Sequence, residues 1–491
     1  MRIRHALFVW TALCFVSGRV YAEEQFPQPQ NELLESDTIQ RSTLAMPSVV
    51  QRDMAPPSGT SAQGGMTETQ VRELIEQYLA ATAAAEENAI AISLPPDAEK
   101  SKAATYPTVK MSGFFQLDTA RFDQDATSTA TLGDIEDGMG FRRARLAAAG
   151  NISEKASYML EFDFAQSQAR FADVWGQFAD TPLGNIRIGR FRQPFGMSEM
   201  TSVRELPFIE RSSAFALSPF RQTGIMFYDT AFDEQATWAV SGFRTISDNF
   251  GNVYGDSGGF GGAMRGTFLP VDCGDTGLIH LGADYSYLDP ARNQLQYASQ
   301  GEIFVGQNPN FGPGGLSVSP LDSVPPFVQS GMFPVESVNL FNVEAAASVG
   351  RALIQSEARW ARTSLPGGNQ ATVPALYVHG RYMLTDDIIP YNRKAGVFTR
   401  VSPKNPINVG CGQWGAWELA GRISYINLNE LASLPEVPGP GRRMTNGTVG
   451  LHWYMLTNAK MHFEYIASDL NDSALGDSTT HTYASMLQVD F

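Results

Sequence analysis

Arginine side chains that alternate with small and apolar residues are the chemically most distinctive feature of this sequence. Arg143 and Arg145 alternate in this way, and so does Arg422 further along the chain. The guanidinium group stays charged and presents several N–H donors, so a row of such groups could hand an anion from site to site. Acidic residues such as Glu161 and Asp163 alternate similarly. The arginines could therefore instead pair with carboxylates and brace a wall.

Other chemistry has little support in the sequence, and we predict no enzymatic activity, no cofactor and no metal site. No His-Glu-x-x-His motif occurs. Residues 410–415 match Gly-x-Gly-x-x-Gly, but they precede a predicted strand instead of joining a strand to a helix. The histidines are scattered singly, which is more typical of wall or interface residues than of ligands. Cys273 and Cys411 fall in predicted turns and could pair or remain free.

The arginines must be positioned by strands, because a period of two begins at Val109 and continues to Phe491. No segment after the N-terminal apolar run at 6–16 has 18 uninterrupted apolar residues, so no transmembrane helix is expected. A membrane protein without apolar helices can only be a closed barrel, since lipid cannot satisfy open backbone groups. We predict an all-β fold, a 16-stranded antiparallel transmembrane β-barrel, with strands near 108–119, 141–150, 156–165, 171–179, 185–192, 221–230, 236–246, 259–269, 277–288, 337–350, 351–363, 372–385, 414–428, 443–455, 459–470 and 480–491.

The regions before the barrel have different compositions. Residues 1–22 are typical of a signal peptide, and 23–66 of a flexible leader. Residues 67–92 predict a short helical segment, either a coiled coil or a solvated amphipathic helix, and 93–107 a linker before the barrel at 108–491. We expect a bacterial outer-membrane location, with the N-terminal segment in the periplasm. The net charge of −15 argues against a nucleic-acid partner.

Alternation also predicts which side chains line the pore, because successive residues of a barrel strand face lipid and lumen in turn. The 193–220 loop is the best candidate for a constriction and carries Arg204 and Arg211, although an ordinary surface loop is the alternative. The terminal Phe491 is expected to serve recognition by the barrel-insertion machinery. The predicted anion pathway comprises Lys110, Arg143, Arg145, Arg187, Arg265, Arg359, Arg381, Arg422 and Lys460.

Several stretches together resemble a known family. They are Phe141–Leu146, Tyr158–Phe164, Ile186–Gly196, Phe208–Ser212, Gly415–Arg422 and Gln488–Phe491. Over about Tyr106 to Phe491 the chain resembles the phosphate-selective porin O and P family. The resemblance implies a trimeric 16-stranded barrel with one pore per subunit, narrowed by an inward-folded loop and lined by basic residues.

Three functions remain open on this basis. The first is passive diffusion of small anions such as phosphate, which the resemblance favours. The second is a general porin with little selectivity, which the mixed charge of the predicted lumen favours. The third is a structural tether between the outer membrane and the cell wall, which only the predicted helical segment supports.

Overall fold

A closed antiparallel β-barrel of sixteen strands makes up the body of the computed structural model. The model describes residues 105–165, 169–245, 250–252, 258–305 and 324–491. The chain divides into two units, 1–100 and 101–491, and the described residues all belong to the second. The predicted signal peptide, leader and helical segment lie outside the described residues.

Each barrel strand pairs with its neighbours in the chain, and the last strand pairs with the first. All sixteen strands that alternation predicts are present, which confirms the predicted fold class. The barrel strands are β1 (Lys110–Gln124), β2 (Gly138–Asn151), β3 (Ala156–Asp163), β4 (Arg170–Thr181), β5 (Gly184–Arg192), β6 (Arg221–Ala231), β7 (Ala236–Arg244), β8 (Phe260–Asp272), β9 (Gly277–Asp289), β10 (Ser337–Val349), β11 (Ala352–Ser364), β12 (Gln370–Met383), β13 (Ala416–Asn427), β14 (Arg443–Leu456), β15 (Ala459–Asp472) and β16 (Gly476–Asp490).

The two faces of the wall differ as the alternation predicts. On β13, Leu419 and Ile423 are 48% and 57% exposed on the outside, whereas Arg422 between them in the pleat is 5% exposed. Bulky apolar side chains on the outer face suit lipid, and polar ones are directed inward. The pleat of β13 therefore places its charged residues Glu418 and Arg422 in the interior.

The connections at the two ends of the barrel differ in length. At the end that carries the start of β1 and the end of β16, most turns are short, such as Phe232–Gln235 and Gly350–Arg351. The exception is 384–415, where Tyr391–Asn392 pairs with Val397–Phe398 in a small hairpin outside the barrel sheet. That hairpin explains why a strand-like stretch near Gly396 leaves the even strand count intact.

Within the residues that the structure describes, helices lie only in the connections between barrel strands. None of the helices in the described part of the chain is long and apolar enough to cross a membrane. Two further two-residue strand pairs lie between β9 and β10, joining Gln294–Leu295 to Phe333–Pro334 and Ala298–Ser299 to Val328–Gln329. The α-helices are Ala126–Leu132, Met197–Met200 and Asn429–Ala432, and the 3₁₀ turns are Ser213–Leu217, Gly274–Thr276, Ala291–Asn293 and Val409–Cys411.

Candidate functional site

The 193–220 loop between β5 and β6 folds into the barrel and contacts the far wall. The backbone N–H of Ser198 donates to Glu357 on β11 at 2.8 Å. The N–H of Ile209 donates to Glu464 on β15, also at 2.8 Å. Hydrogen bonds to an ionised carboxylate are roughly twice as strong as those between neutral groups, so these two contacts fix the loop to the wall. The loop thus narrows the interior of the barrel. It is the same loop that the sequence indicates as the candidate constriction.

A buried salt bridge anchors the first part of the 193–220 loop. Arg359, 1% exposed on β11, donates to both carboxylate oxygens of Glu199 at 2.5 Å and to Glu357 at 2.6 Å. Gly196 stands beside this pair with φ of 76°, and a Cβ there would lie 2.0 Å from Glu199 Oε2. Glycine is required at this position both for its backbone conformation and for the space it leaves.

Arg192 and Arg211 converge on one carbonyl oxygen of the loop. The oxygen of Thr201 accepts from Arg192 at 2.7 Å and from Arg211 at 2.8 Å. Within the described part of the chain, the only other hydrogen bonds of these guanidinium groups are also to backbone carbonyls, at Ser198, Glu199 and Met200. Two like charges therefore meet without a carboxylate bound directly to either.

The electrostatic field at Arg211 is consequently unfavourable to a cation. Burial and the neighbouring Arg192 lower the pKa of Arg211 well below its ordinary value, and Glu199 offsets this only in part. Arginine keeps its proton in proteins, so this buried charge would favour a nearby anion. This region is the strongest candidate for an anion contact inside the barrel.

The remaining arginines near this region share a smaller number of carboxylates. Arg145 donates to Asp163 at 2.9 Å and to Glu161 at 3.3 Å. Arg221 bonds to Asp173 at 2.9 Å. We call the whole group the arginine cluster. It comprises Arg142, Arg143, Arg145, Arg170, Arg192, Arg204, Arg211 and Arg221, with Glu161, Asp163, Asp173 and Glu210 as its carboxylates.

A β-bulge adds an arginine that alternation misses. The register between β1 and β2 shifts at Gln116, so Arg142 is an extra residue opposite no partner. Strict alternation would send Arg142 to the outer face, but the bulge lets it reach Glu210 at 2.6 Å beside Arg143 at 2.9 Å. Bulges redirect side chains in this way where a regular pleat could not.

Arg422 meets a second inward-folded connection. Its guanidinium binds Glu302, from the segment between β9 and β10, and donates to the backbone oxygen of Glu210 at 2.8 Å. Ser424 also binds Glu302. Sequence reasoning missed Glu302, because nothing in the local pattern shows that this long connection returns to the lumen.

The other basic residues of the predicted pathway are distributed along the wall. Arg265 forms a bidentate pair with Glu344 at 2.7 and 2.8 Å, and Arg381 does so with Glu418 at 3.1 and 2.8 Å. These buried pairs brace the wall: Arg381 and Glu418 join the adjacent strands β12 and β13, whereas Arg265 on β8 reaches Glu344 on β10 across β9. They lie on other strands than the arginine cluster. The residues of the predicted anion pathway are therefore divided between the arginine cluster and a set of arginine–carboxylate pairs in the wall.

Lys460, Lys110, Arg187 and Arg204 have yet other environments. Lys460 is buried and donates to a loop carbonyl at 3.3 Å, whereas Lys110 is exposed at the start of β1. Arg187 stacks over Trp175 at 4.2 Å. Arg204 lies over an aromatic ring at 4.6 Å and is 4.0 Å from a carboxylate of the cluster.

The 384–415 connection enters the barrel from the end where β1 begins, which is the end opposite to the 193–220 loop. The carbonyl oxygens of Ala395 and Gly396 accept from Arg265 at 3.1 and 2.8 Å. Thr399 donates to Glu205 of the 193–220 loop at 2.9 Å. Connections from the two ends of the barrel therefore meet inside it.

Two histidines that are distant in sequence lie together in the wall. His452 on β14 and His462 on β15 are direct cross-strand neighbours, and their rings stack with centroids 4.0 Å apart. The sequence separates these two residues, and strand pairing brings them together in the wall. The two cysteines, Cys273 and Cys411, are free and exposed.

Comparison with known proteins agrees with this architecture. The family model described as phosphate-selective porin O and P matches residues 109–491. Porin O of Pseudomonas aeruginosa is 24% identical over 412 residues, covering 78% of this chain and 88% of that protein.

Solved structures with a similar fold are more distant in sequence. An anion-selective porin from Comamonas acidovorans is 12% identical, with a TM-score of 0.48 over 78% of this chain and 99% of that one. The outer membrane channel DcaP of Acinetobacter baumannii is 11% identical, with a TM-score of 0.47 over 78% of this chain and 97% of that one. The family match over the whole barrel shows that the chain belongs to the phosphate-selective porin O and P family.

Proposed function

We propose that the protein is an outer-membrane channel for passive diffusion of small anions, with oxyanions such as phosphate as the preferred class. Family membership and the similarity to Porin O support a channel. The observation that carries the anion preference is that Arg192 and Arg211 meet on the carbonyl oxygen of Thr201, and that no carboxylate among the described residues is hydrogen-bonded to either.

The position of these arginines makes their charge effective. A fixed charge in a water-filled pore acts over about a Debye length, roughly 8 Å at physiological salt, so it matters where the passage is narrow. The 193–220 loop narrows the interior; Arg211 belongs to this loop, and Arg192 is the last residue of β5 directly before it. A guanidinium fork also offers paired donors that match phosphate and carboxylate oxygens.

Assembly and location complete the proposal. We propose a homotrimer in the outer membrane, contacting lipid through the apolar outer face of the barrel. The N-terminal segment would lie in the periplasm, at the end where β1 begins. Phe491 would be recognised by the insertion machinery, and its main chain already pairs with Gly113 of β1 at 2.8 and 3.0 Å.

A general porin with little selectivity is the second candidate. It is favoured by the close pairing of most wall arginines with carboxylates, as in Arg265 with Glu344 and Arg381 with Glu418. Paired charges largely cancel at a distance, so such a lumen would discriminate weakly between cations and anions.

Reversal potentials in planar bilayers under a potassium chloride gradient test the proposal. Wild-type channels are expected to favour chloride, and Arg211→Gln should lower the anion-to-cation permeability ratio several-fold. Arg362→Gln removes one exposed charge from the outer face of β11 and serves as the matched control, with an unchanged ratio expected. Wild-type reversal near zero would favour the general porin, and equal ratios in wild type and Arg211→Gln would remove this arginine from the pathway.

A further inference from the structure

A cluster of buried metal-binding side chains lies in the wall beside the tip of the 193–220 loop. His452, His462 and Glu464 each offer one ligand atom, and these atoms lie within 4.8 Å of one another. The two histidines are 0% exposed and Glu464 is 4% exposed. They converge because His452 faces His462 across β14 and β15, while Glu464 follows two residues later on the same face of β15.

The hydrogen-bond pattern points to a missing positive partner. Among the described residues, nothing hydrogen-bonds Nε2 of His452, either ring nitrogen of His462, or Oε2 of Glu464. Buried polar atoms without partners are rare because each retains the cost of leaving water. Each of the three side chains has at least one such atom, and one ligand bound by all three side chains would explain them.

The orientation of His452 is set by a second carboxylate. Its Nδ1 is 2.9 Å from Glu418 Oε1, so Nδ1 carries the proton and Nε2 presents its lone pair. That lone pair faces Glu464 Oε1 at 3.5 Å, which brings two acceptors together. A second proton on His452 could satisfy this one contact, but it would leave both nitrogens of His462 unpartnered.

The spacing suits a divalent transition metal. Zinc binds imidazole nitrogen and carboxylate oxygen at about 2.0–2.2 Å, which separates tetrahedral ligands by roughly 3.4 Å. The Glu464 Oε1 atom lies 3.5 Å from His452 Nε2 and 3.8 Å from His462 Nδ1. Two histidines and a glutamate, with a carboxylate holding one histidine from behind, form a ligand set that zinc accepts with one position open.

We propose that His452, His462 and Glu464 form a zinc-binding site in the barrel wall. Glu464 also accepts the N–H of Ile209, and Phe208 packs edge-on against His452 with ring centroids 5.8 Å apart. An ion at this site would therefore act on the loop tip. Bound zinc should alter single-channel conductance, and a chelator should reverse the change.

Calorimetric titration with zinc chloride tests the proposal on the full-length, detergent-folded protein. All three cysteines of the chain are first replaced by serine, since thiols bind zinc themselves. One zinc per chain is expected at micromolar concentrations. His462→Gln should weaken binding at least about ten-fold, the lower limit for disturbing even an outer partner of a zinc site. His462 is the best position because no described residue hydrogen-bonds its ring.

The matched control is His379→Gln. His379 is another buried lumen histidine that contacts Phe208, at 5.6 Å between centroids, but it is outside the ligand set. Its replacement should leave zinc binding unchanged. Absence of micromolar binding, or equal binding by the His462→Gln protein, would overturn the proposal. X-ray absorption of the zinc-loaded parent needs no variant to fold, and a spectrum without imidazole scattering would also overturn it.

Discussion

Replacing Arg359 by glutamine should release the 193–220 loop from the opposite wall. The guanidinium holds Glu199 of the loop and Glu357 of β11 together, and all three side chains are buried. Removing it leaves two carboxylates close to each other without their cation. Breaking a buried ion pair from one side costs about 3–5 kcal/mol, because the remaining charge stays desolvated.

Tryptic cleavage within the loop measures this release. Arg204 and Arg211 are both potential cleavage sites, and Arg211 is only 6% exposed in the folded loop. When local opening is fast, cleavage follows the population of the open form. A loss of about 3 kcal/mol corresponds to roughly a 150-fold larger open population. Cleavage at these arginines should accelerate by about two orders of magnitude, while the barrel keeps its heat-modifiable migration on gels.

Two further variants make the Arg359 test specific. Arg362→Gln changes an exposed arginine on the same strand, bonded to Gln370, and should leave cleavage unchanged. Combining Glu199→Gln with Arg359→Gln removes one of the stranded charges, so the double variant should be cleaved more slowly than Arg359→Gln alone. A cleavage rate of Arg359→Gln within threefold of wild type would refute the reasoning.

Two other predictions concern acid and assembly. Burial opposes ionisation of Glu210, but Arg142 and Arg143 outweigh it and hold the pKa of that carboxyl below its ordinary value. The Glu210 carboxylate therefore stabilises the attachment of the loop fully above about pH 4.3, the ordinary pKa of glutamate. This stabilisation is lost as the pH falls through the lower pKa that Glu210 has in the folded protein. Wild-type conductance should change only below about pH 4, and Glu210→Gln should lack that step. Deleting Phe491 removes its paired main chain and should lower the assembled yield on unheated gels far more than deleting 23–66; equal yields would contradict this.

Alternation made the strands and most of the interior predictable. Barrel strands must alternate because one face meets lipid and the other meets water, so charge positions such as Arg422 and Glu418 identify the inner face. The confirmed strand count follows from that single constraint. Short turns such as Phe232–Gln235 also indicated where one strand ends and the next begins.

The partners of those inward residues could not be predicted in the same way. Glu302 reaches Arg422 from a long connection, and the sequence contains no signal for its return into the barrel. Arg142 was misplaced by strict alternation, since a one-residue bulge is a property of pairing and not of the strand alone. His452 and His462 became neighbours only when β14 and β15 were in register.

The contact between Thr399 and Glu205 has a consequence for how current would flow. It joins the 384–415 connection from one mouth to the 193–220 loop from the other. Because the two segments are hydrogen-bonded to each other, each limits how far the other can move out of the passage. Freeing only the loop should therefore raise conductance less than its own widening suggests, until the connection at the other mouth is loosened as well.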